Sequence, residues 1–133
     1  MTAVFQSRAL ADAMTEKLRA YAQPQRLMIL SYLLDGEKTV GQIDAATAIG
    51  QPALSQQLAE LRRTELVRTR RAAKQVYYSL ADESVGLCVR TMEAMMGGQD
   101  DPATALHNAL LASPAAEPPA RIPLGAAGFA RIG

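Results

Sequence analysis

The apolar positions between residues 7 and 96 recur at spacings that assign most of this stretch to helices. Leu10, Met14, Leu18 and Tyr21 follow one another at three- and four-residue steps, with Arg8, Asp12, Glu16 and Arg19 between them, the pattern of an amphipathic helix over residues 7–21. Pro24 ends or restarts it. Residues 25–34 are apolar nearly all round (Leu27, Met28, Ile29, Leu30, Tyr32, Leu33, Leu34), which predicts a helix buried at the centre and closed by Asp35-Gly36. Thr39, with Gln42 three positions on, forms a capping box for a short helix to about Ala48 that turns Val40 and Ile43 inward.

Residues 49–63 split into two faces, and the rest of the chain is organised around them. Leu54, Leu58 and Leu61 share one narrow stripe, while Ser55, Gln56, Ala59 and Arg63 project from the other side. Gly50 breaks the preceding helix, and Pro52 suits a first turn, where no backbone donor is needed. A new helix then starts with Gln51 at or near its cap, its side chain free. Helix, tight turn and helix thus follow in the order of a helix-turn-helix, whose second helix inserts its N-terminal part into the major groove. Gln can pair bidentately with adenine there, and Ser with several base edges. Gln51, Ser55 and Gln56, with Gln57 beside them, are the candidate base readers. The competing reading is an amphipathic helix whose polar face meets only water.

Residues 67–71 and 75–80 alternate apolar and polar positions around Ala72-Ala73-Lys74, which predicts a two-stranded hairpin with a weak turn signal at its tip. Following a recognition helix, such a hairpin is a wing. Asp82 caps a last helix through about Met96, with a stripe of Val85, Cys88, Met92, Met95 and Met96, and Gly97-Gly98 terminates it. The fold expected is mainly α with a β-hairpin wing, a winged helix-turn-helix. Its first and last helices carry apolar stripes left without partners, so they are expected to pack across a two-fold axis as a symmetric dimer. Residues 1–98 form the DNA-binding and dimerisation domain in this reading. Residues 99–133 are an extension, with a short helix over 101–111 and a Pro- and Ala-rich, disordered tail over 112–133.

Charge sharpens the picture. The chain of 133 residues has a net charge of only +1. Six basic residues (Arg62, Arg63, Arg68, Arg70, Arg71 and Lys74) nevertheless stand against Glu60 and Glu65 within residues 60–74, and the remainder is slightly acidic. A basic patch directly after the proposed recognition helix is the footprint of a surface that holds phosphates, and Arg62, Arg63, Arg70, Arg71, Lys74 and Tyr77 are the candidate backbone and wing contacts. No apolar run reaches the roughly 18 to 20 residues that span a bilayer, and residues 1–8 form no signal segment, so a cytoplasmic protein is expected. A single cysteine, Cys88, and a single histidine, His107, leave no disulfide, no transition-metal ligand set, no cofactor motif and no convergent catalytic groups, so neither metal nor enzyme is expected. Cys88 reads either as a small hydrophobe in the last helix's stripe or as a redox residue.

These residues resemble the ArsR/SmtB family of bacterial winged-helix repressors. The likeness runs from about Leu10 to Met96 and is carried by Pro24-Gln25-Arg26-Leu27, Thr39-Val40-Gly41-Gln42-Ile43, Gln51-Pro52-Ala53-Leu54-Ser55-Gln56-Gln57-Leu58 with Leu61-Arg62, and Thr69-Arg70-Arg71 with Lys74-Gln75-Val76-Tyr77-Tyr78. Within the family the recognition helix and wing are most similar to the branch of sulfide-responsive biofilm repressors and the rhizobial nodulation repressor. The resemblance implies a homodimer on double-stranded DNA at an inverted-repeat operator. It also implies base contacts from Gln51, Ser55 and Gln56, and backbone or wing contacts from Arg62, Arg71, Lys74 and Tyr77. The paired cysteines of the sulfide-responsive members are replaced by Ser31 and Gly97, and the cysteine positions of metal sensors by Thr39 and Gly41. A small molecule between the first and last helices, oxidation at Cys88, or protein concentration alone remain as signals. A winged-helix protein-interaction module without specific DNA readout is the alternative function.

Overall fold

A computed structural model describes residues 1–98 and 101–111 of the chain. The helices are α1 (Arg8–Tyr21), α2 (Pro24–Tyr32), α3 (Val40–Thr47), α4 (Ala53–Arg63), α5 (Glu83–Met96) and α6 (Pro102–Leu111). The strands are β1 (Lys38–Thr39), β2 (Val67–Ala72) and β3 (Gln75–Leu80), joined as one antiparallel sheet in the order β1-β3-β2. A helix-turn-helix (α3, α4) is therefore followed by a wing (β2, β3), and the expected winged-helix order is present. The expected tail over residues 112–133 lies outside the described residues.

Local chemistry sets each boundary. The Ser7 side chain accepts from the Leu10 amide to start α1, and Asp82 accepts from the Val85 amide to start α5. Thr39 and Gln42 form the reciprocal capping box at the start of α3. At the end of α4, Glu65 takes a left-handed conformation (φ 64°), and the Leu66 amide donates back to the Leu61 carbonyl at 2.9 Å. That is a Schellman closure, and it buries Leu66 beside Leu61.

The core lies between α2, α3, α4 and α5 and the inner face of the sheet. Ile29, Leu30, Leu33, Ile43, Leu54, Leu58, Leu61, Val67, Val85 and Val89 fill it. Burial of the three α4 leucines is close to complete, so the recognition helix is held by one apolar stripe, at roughly 1.5 to 3 kcal/mol per side chain.

Two expectations need correction. Helix α2 is not buried all round: Ile29 and Leu30 face the core, but Leu27 and Met28 are exposed and flank a shallow groove of about 430 Å³ shared with α3 and α5. With α2 only nine residues long, its apolar side exceeds what the core can cover. The sheet has a third strand, β1, too short to carry a periodic signal; it pairs Lys38 with Tyr78 and Thr39 with Tyr77. In α5, Val85, Gly86 and Val89 face the core and Met92 packs against it, whereas Cys88, Met95 and Met96 are exposed, as expected of a stripe without a partner in the single chain.

Candidate nucleic-acid interface

The turn between α3 and α4 determines how the recognition helix leaves the core. Ala48 ends α3 in the left-handed region (φ 56°), and Gly50, at φ 82°, continues a path that a side chain would strain. Asp44 secures it, its carboxylate accepting from the Gly50 amide at 2.9 Å. Ile49 packs partly into the core. The N-terminal turn of α4 is thereby carried outward with Ser55, Gln56, Ala59, Arg62 and Arg63 exposed, opposite the buried leucines.

The four amide and hydroxyl candidates occupy different situations. Gln56 is exposed on the outer face. Gln51 is not free, as its cap position had suggested: its Oε1 accepts from the Ser55 amide at 3.1 Å and from the Ser55 hydroxyl at 2.7 Å. It acts as the cap that Pro52 cannot supply, and the exposed side chain keeps its amide NH2 as a donor pair. Gln57 is half-buried and turned toward α2. Its Oε1 accepts from Arg26 Nε at 2.9 Å and its Nε2 donates to Gln25 Oε1 at 3.3 Å, both on α2. One position on from Gln56, about 100° around the helix, it lies at the rim of the core, and a base contact would require it to release Arg26 and Gln25.

The candidate cations of α4 and the wing fall into two groups. Register pairs Arg70 with Tyr77, Arg71 with Val76 and Ala72 with Gln75, leaving Ala73 and Lys74 as a two-residue tip in which Ala73 has φ 56°. Arg71 and Lys74 are exposed at that tip, as is Arg62 on α4, and among the described residues none of the three lies in an ion pair. Arg70 and Arg63 are already engaged. Arg70 Nε donates to Glu37 at 3.1 Å, and its guanidinium lies 4.8 Å from the centre of the Tyr77 ring. Arg63 pairs with Glu60 within α4. The hydrogen bonds from Arg63 hold the Glu60 carboxyl below the usual carboxylate range, and the Glu37 partner raises the Arg70 guanidinium further. Phosphate would have to displace a carboxylate from either arginine, so the cations most ready for a backbone contact are Arg62, Arg71 and Lys74.

The two carboxylate partners differ in how far they lie from their arginines in the chain. Glu60 and Arg63 stand three residues apart on one helix, a spacing visible in the sequence. Glu37 and Arg70 meet only because β1 pairs with β3. Arg26, whose part-buried guanidinium ties α2 to both α1 and α4, gave no signal beyond its place in a short motif.

Away from this surface, Cys88 is exposed on α5 rather than buried as a core hydrophobe. It lies beside Tyr21, whose phenol burial pushes well above its ordinary value of 10, with Cys88 and Asp82 adding to the shift. Among the described residues, no three His, Cys, Asp or Glu side chains converge as a metal site. No described helix is long and apolar enough to cross a membrane.

Comparison with known proteins agrees with this geometry. Residues 23–69 match the family model described as bacterial regulatory protein, arsR family. The biofilm growth-associated repressor of Xylella fastidiosa is 36% identical over 90 residues, covering 68% of this chain and 79% of that protein. The crystal structure of the repressor BigR from the same organism superposes with a TM-score of 0.67 at 33% identity, covering 74% of this chain and all of that one. The transcriptional activator HlyU of Vibrio cholerae is 41% identical over 78 residues, 59% of this chain and 72% of its own. A homodimeric winged helix-turn-helix DNA-binding domain from Mycobacterium bovis superposes with a TM-score of 0.58 at 27% identity, covering 76% of this chain and 96% of that domain.

Proposed function

The chain belongs to the ArsR family of bacterial regulatory proteins, and from that premise we propose that it is a transcriptional repressor, binding an inverted-repeat operator as a homodimer in the cytoplasm. The observation that carries this reading is the two-sided α4. Three leucines anchor one face while Ser55 and Gln56 stand exposed on the other, beside a wing whose Arg71 and Lys74 are unpaired among the described residues. In this reading Gln56 and the Gln51–Ser55 pair read base edges, and Arg62, Arg71 and Lys74 hold phosphates, with Arg63, Arg70 and Tyr77 as flanking contacts. The dimer forms through α1 and α5, where Met14, Leu18, Leu87, Met95 and Met96 are exposed on the single chain. Its role is regulatory rather than enzymatic. Repression follows when an occupied operator overlaps the promoter.

Fluorescence anisotropy on the protein's own upstream DNA against a scrambled duplex, across a salt series, tests the reading. Preference for the native fragment at one dimer per site is expected, with expression of a linked reporter falling when the protein is supplied. Equal, weak binding to both duplexes would overturn specific readout and favour an interaction module, and a reporter that rises would make the protein an activator.

A further inference from the structure

The buried stripe of α4 fixes how deep the recognition helix sits, but non-directional leucine contacts set its roll less sharply than a hydrogen bond does. Rotation matters. At the roughly 5 to 6 Å radius of a side chain's end, a 10° roll moves that end by about 1 Å. The useful window of a hydrogen bond is only about 0.5 Å wide.

A directional tie sits at this place. Arg26 Nε donates to Gln57 on α4 at 2.9 Å, and Arg26 Nη1 donates to the Ala20 carbonyl, in the last turn of α1, at 3.2 Å. Gln57 is locked from a second direction by Gln25 at 3.3 Å. The Arg26 amide is itself held by the Gln23 side chain at 3.2 Å, at the start of α2. A guanidinium suits both acceptors, since its donors are fixed in one plane and the carbonyl end of α1 is the negative end of that helix. The tie joins the helix next to Gln56 to the helix whose Leu18 and Met14 face outward on the apolar side.

We propose that Arg26 is a positioning residue that sets the angle and distance of the recognition helix relative to α1, and thereby the half-site spacing the dimer accepts. The inference rests on the DNA-binding reading above. Dimeric helix-turn-helix proteins read half-sites about one helical turn apart, so a small angular error in each protomer becomes a mismatch at both ends. Gln57 then acts in recognition without touching a base. Arg26 itself touches neither base nor phosphate.

The test starts from duplexes that the full-length wild type enriches from a randomised pool. The enriched sequence is then rebuilt with one base pair added to or removed from the spacer, and a scrambled duplex serves as reference. Arg26→Ala is expected to weaken binding to the enriched duplex about tenfold, the scale of a charge-assisted hydrogen bond. Binding to scrambled DNA should change less than twofold, and the penalty for altered spacing should shrink. Gln57→Leu cuts the same tie while leaving the Arg26 bond to Ala20, so it reproduces the loss of spacing preference even if Arg26→Ala fails to fold. Gln57→Glu keeps an acceptor for Arg26 and should retain the preference. Equal losses on all duplexes, or an unchanged spacing preference in Gln57→Leu, would overturn the proposal while leaving the DNA-binding reading intact. A wild type that enriches no sequence would remove both.

Discussion

Three glutamines on one short stretch have three separate tasks. Gln51 caps the helix through Ser55, Gln57 is bound to α2, and Gln56 faces outward with its amide available. Replacing Gln56 with Ala should therefore reduce operator affinity by about 1 to 3 kcal/mol and relax discrimination at one base pair per half-site, with the melting temperature unchanged. Arg71→Ala at the wing tip should weaken native and scrambled duplexes alike, and its salt slope should flatten by about 0.9 per lost phosphate contact in each protomer. Anisotropy titrations on both duplexes separate the two; equal losses for Gln56→Ala would withdraw its base-reading role. Tyr21 yields a prediction of another kind. Burial raises its pKa above the ordinary value of 10, so the folded state holds the phenol proton that the unfolded chain releases. Its contribution is fully present below pH 10 and declines above it, by at most about 1.4 kcal/mol per pH unit. Urea unfolding from pH 9 upward should show a steeper decline for wild type than for Tyr21→Phe, and parallel curves would contradict this.

At the scale of elements, the capping box of α3 sets where the helix-turn-helix begins. Thr39→Ala removes the acceptor for the Gln42 amide, 3.2 Å away, and should lower stability by about 1 kcal/mol in denaturant unfolding without changing the salt dependence of binding. That box, like the leucine stripe of α4 and the Asp82 cap of α5, was legible in the sequence because each depends on residues within one or two turns of one another. The β2–β3 hairpin was legible too, from alternation alone. What was not legible depends on distant partners. Gln57 looked like a reader because nothing local shows that Arg26, 31 residues earlier, would bind it. The pairing of Arg70 leaves no local trace because Glu37, 33 residues earlier, reaches it only through β1. Cys88 joined an apolar stripe by period, yet the three-dimensional stripe of α5 runs through Val85 and Val89, with Cys88 turned outward.

For the whole molecule, the single chain leaves apolar surface uncovered on its first and fifth helices. Leu18 is 58% exposed on α1, and Met95 and Met96 are 47% and 78% exposed on α5. Scattered apolar residues need no explanation, but exposed apolar positions recurring on both helices support the proposed dimer contact. Dimerisation also bears on affinity. One protomer presents one α4 and one wing, and joining two protomers makes the second half-site contact intramolecular, a gain on the order of a hundredfold or more. Leu18→Glu places a charge on the proposed α1 contact without disturbing the core. It should keep the helical circular dichroism of the wild type, sediment as a monomer, and lose on the order of a hundredfold in operator affinity while retaining weak binding to a single half-site. Should Leu18→Glu remain dimeric at micromolar concentration and bind the operator as tightly as wild type, α1 would not be part of the interface. The stripes of α5 alone would then have to hold the two recognition helices in register.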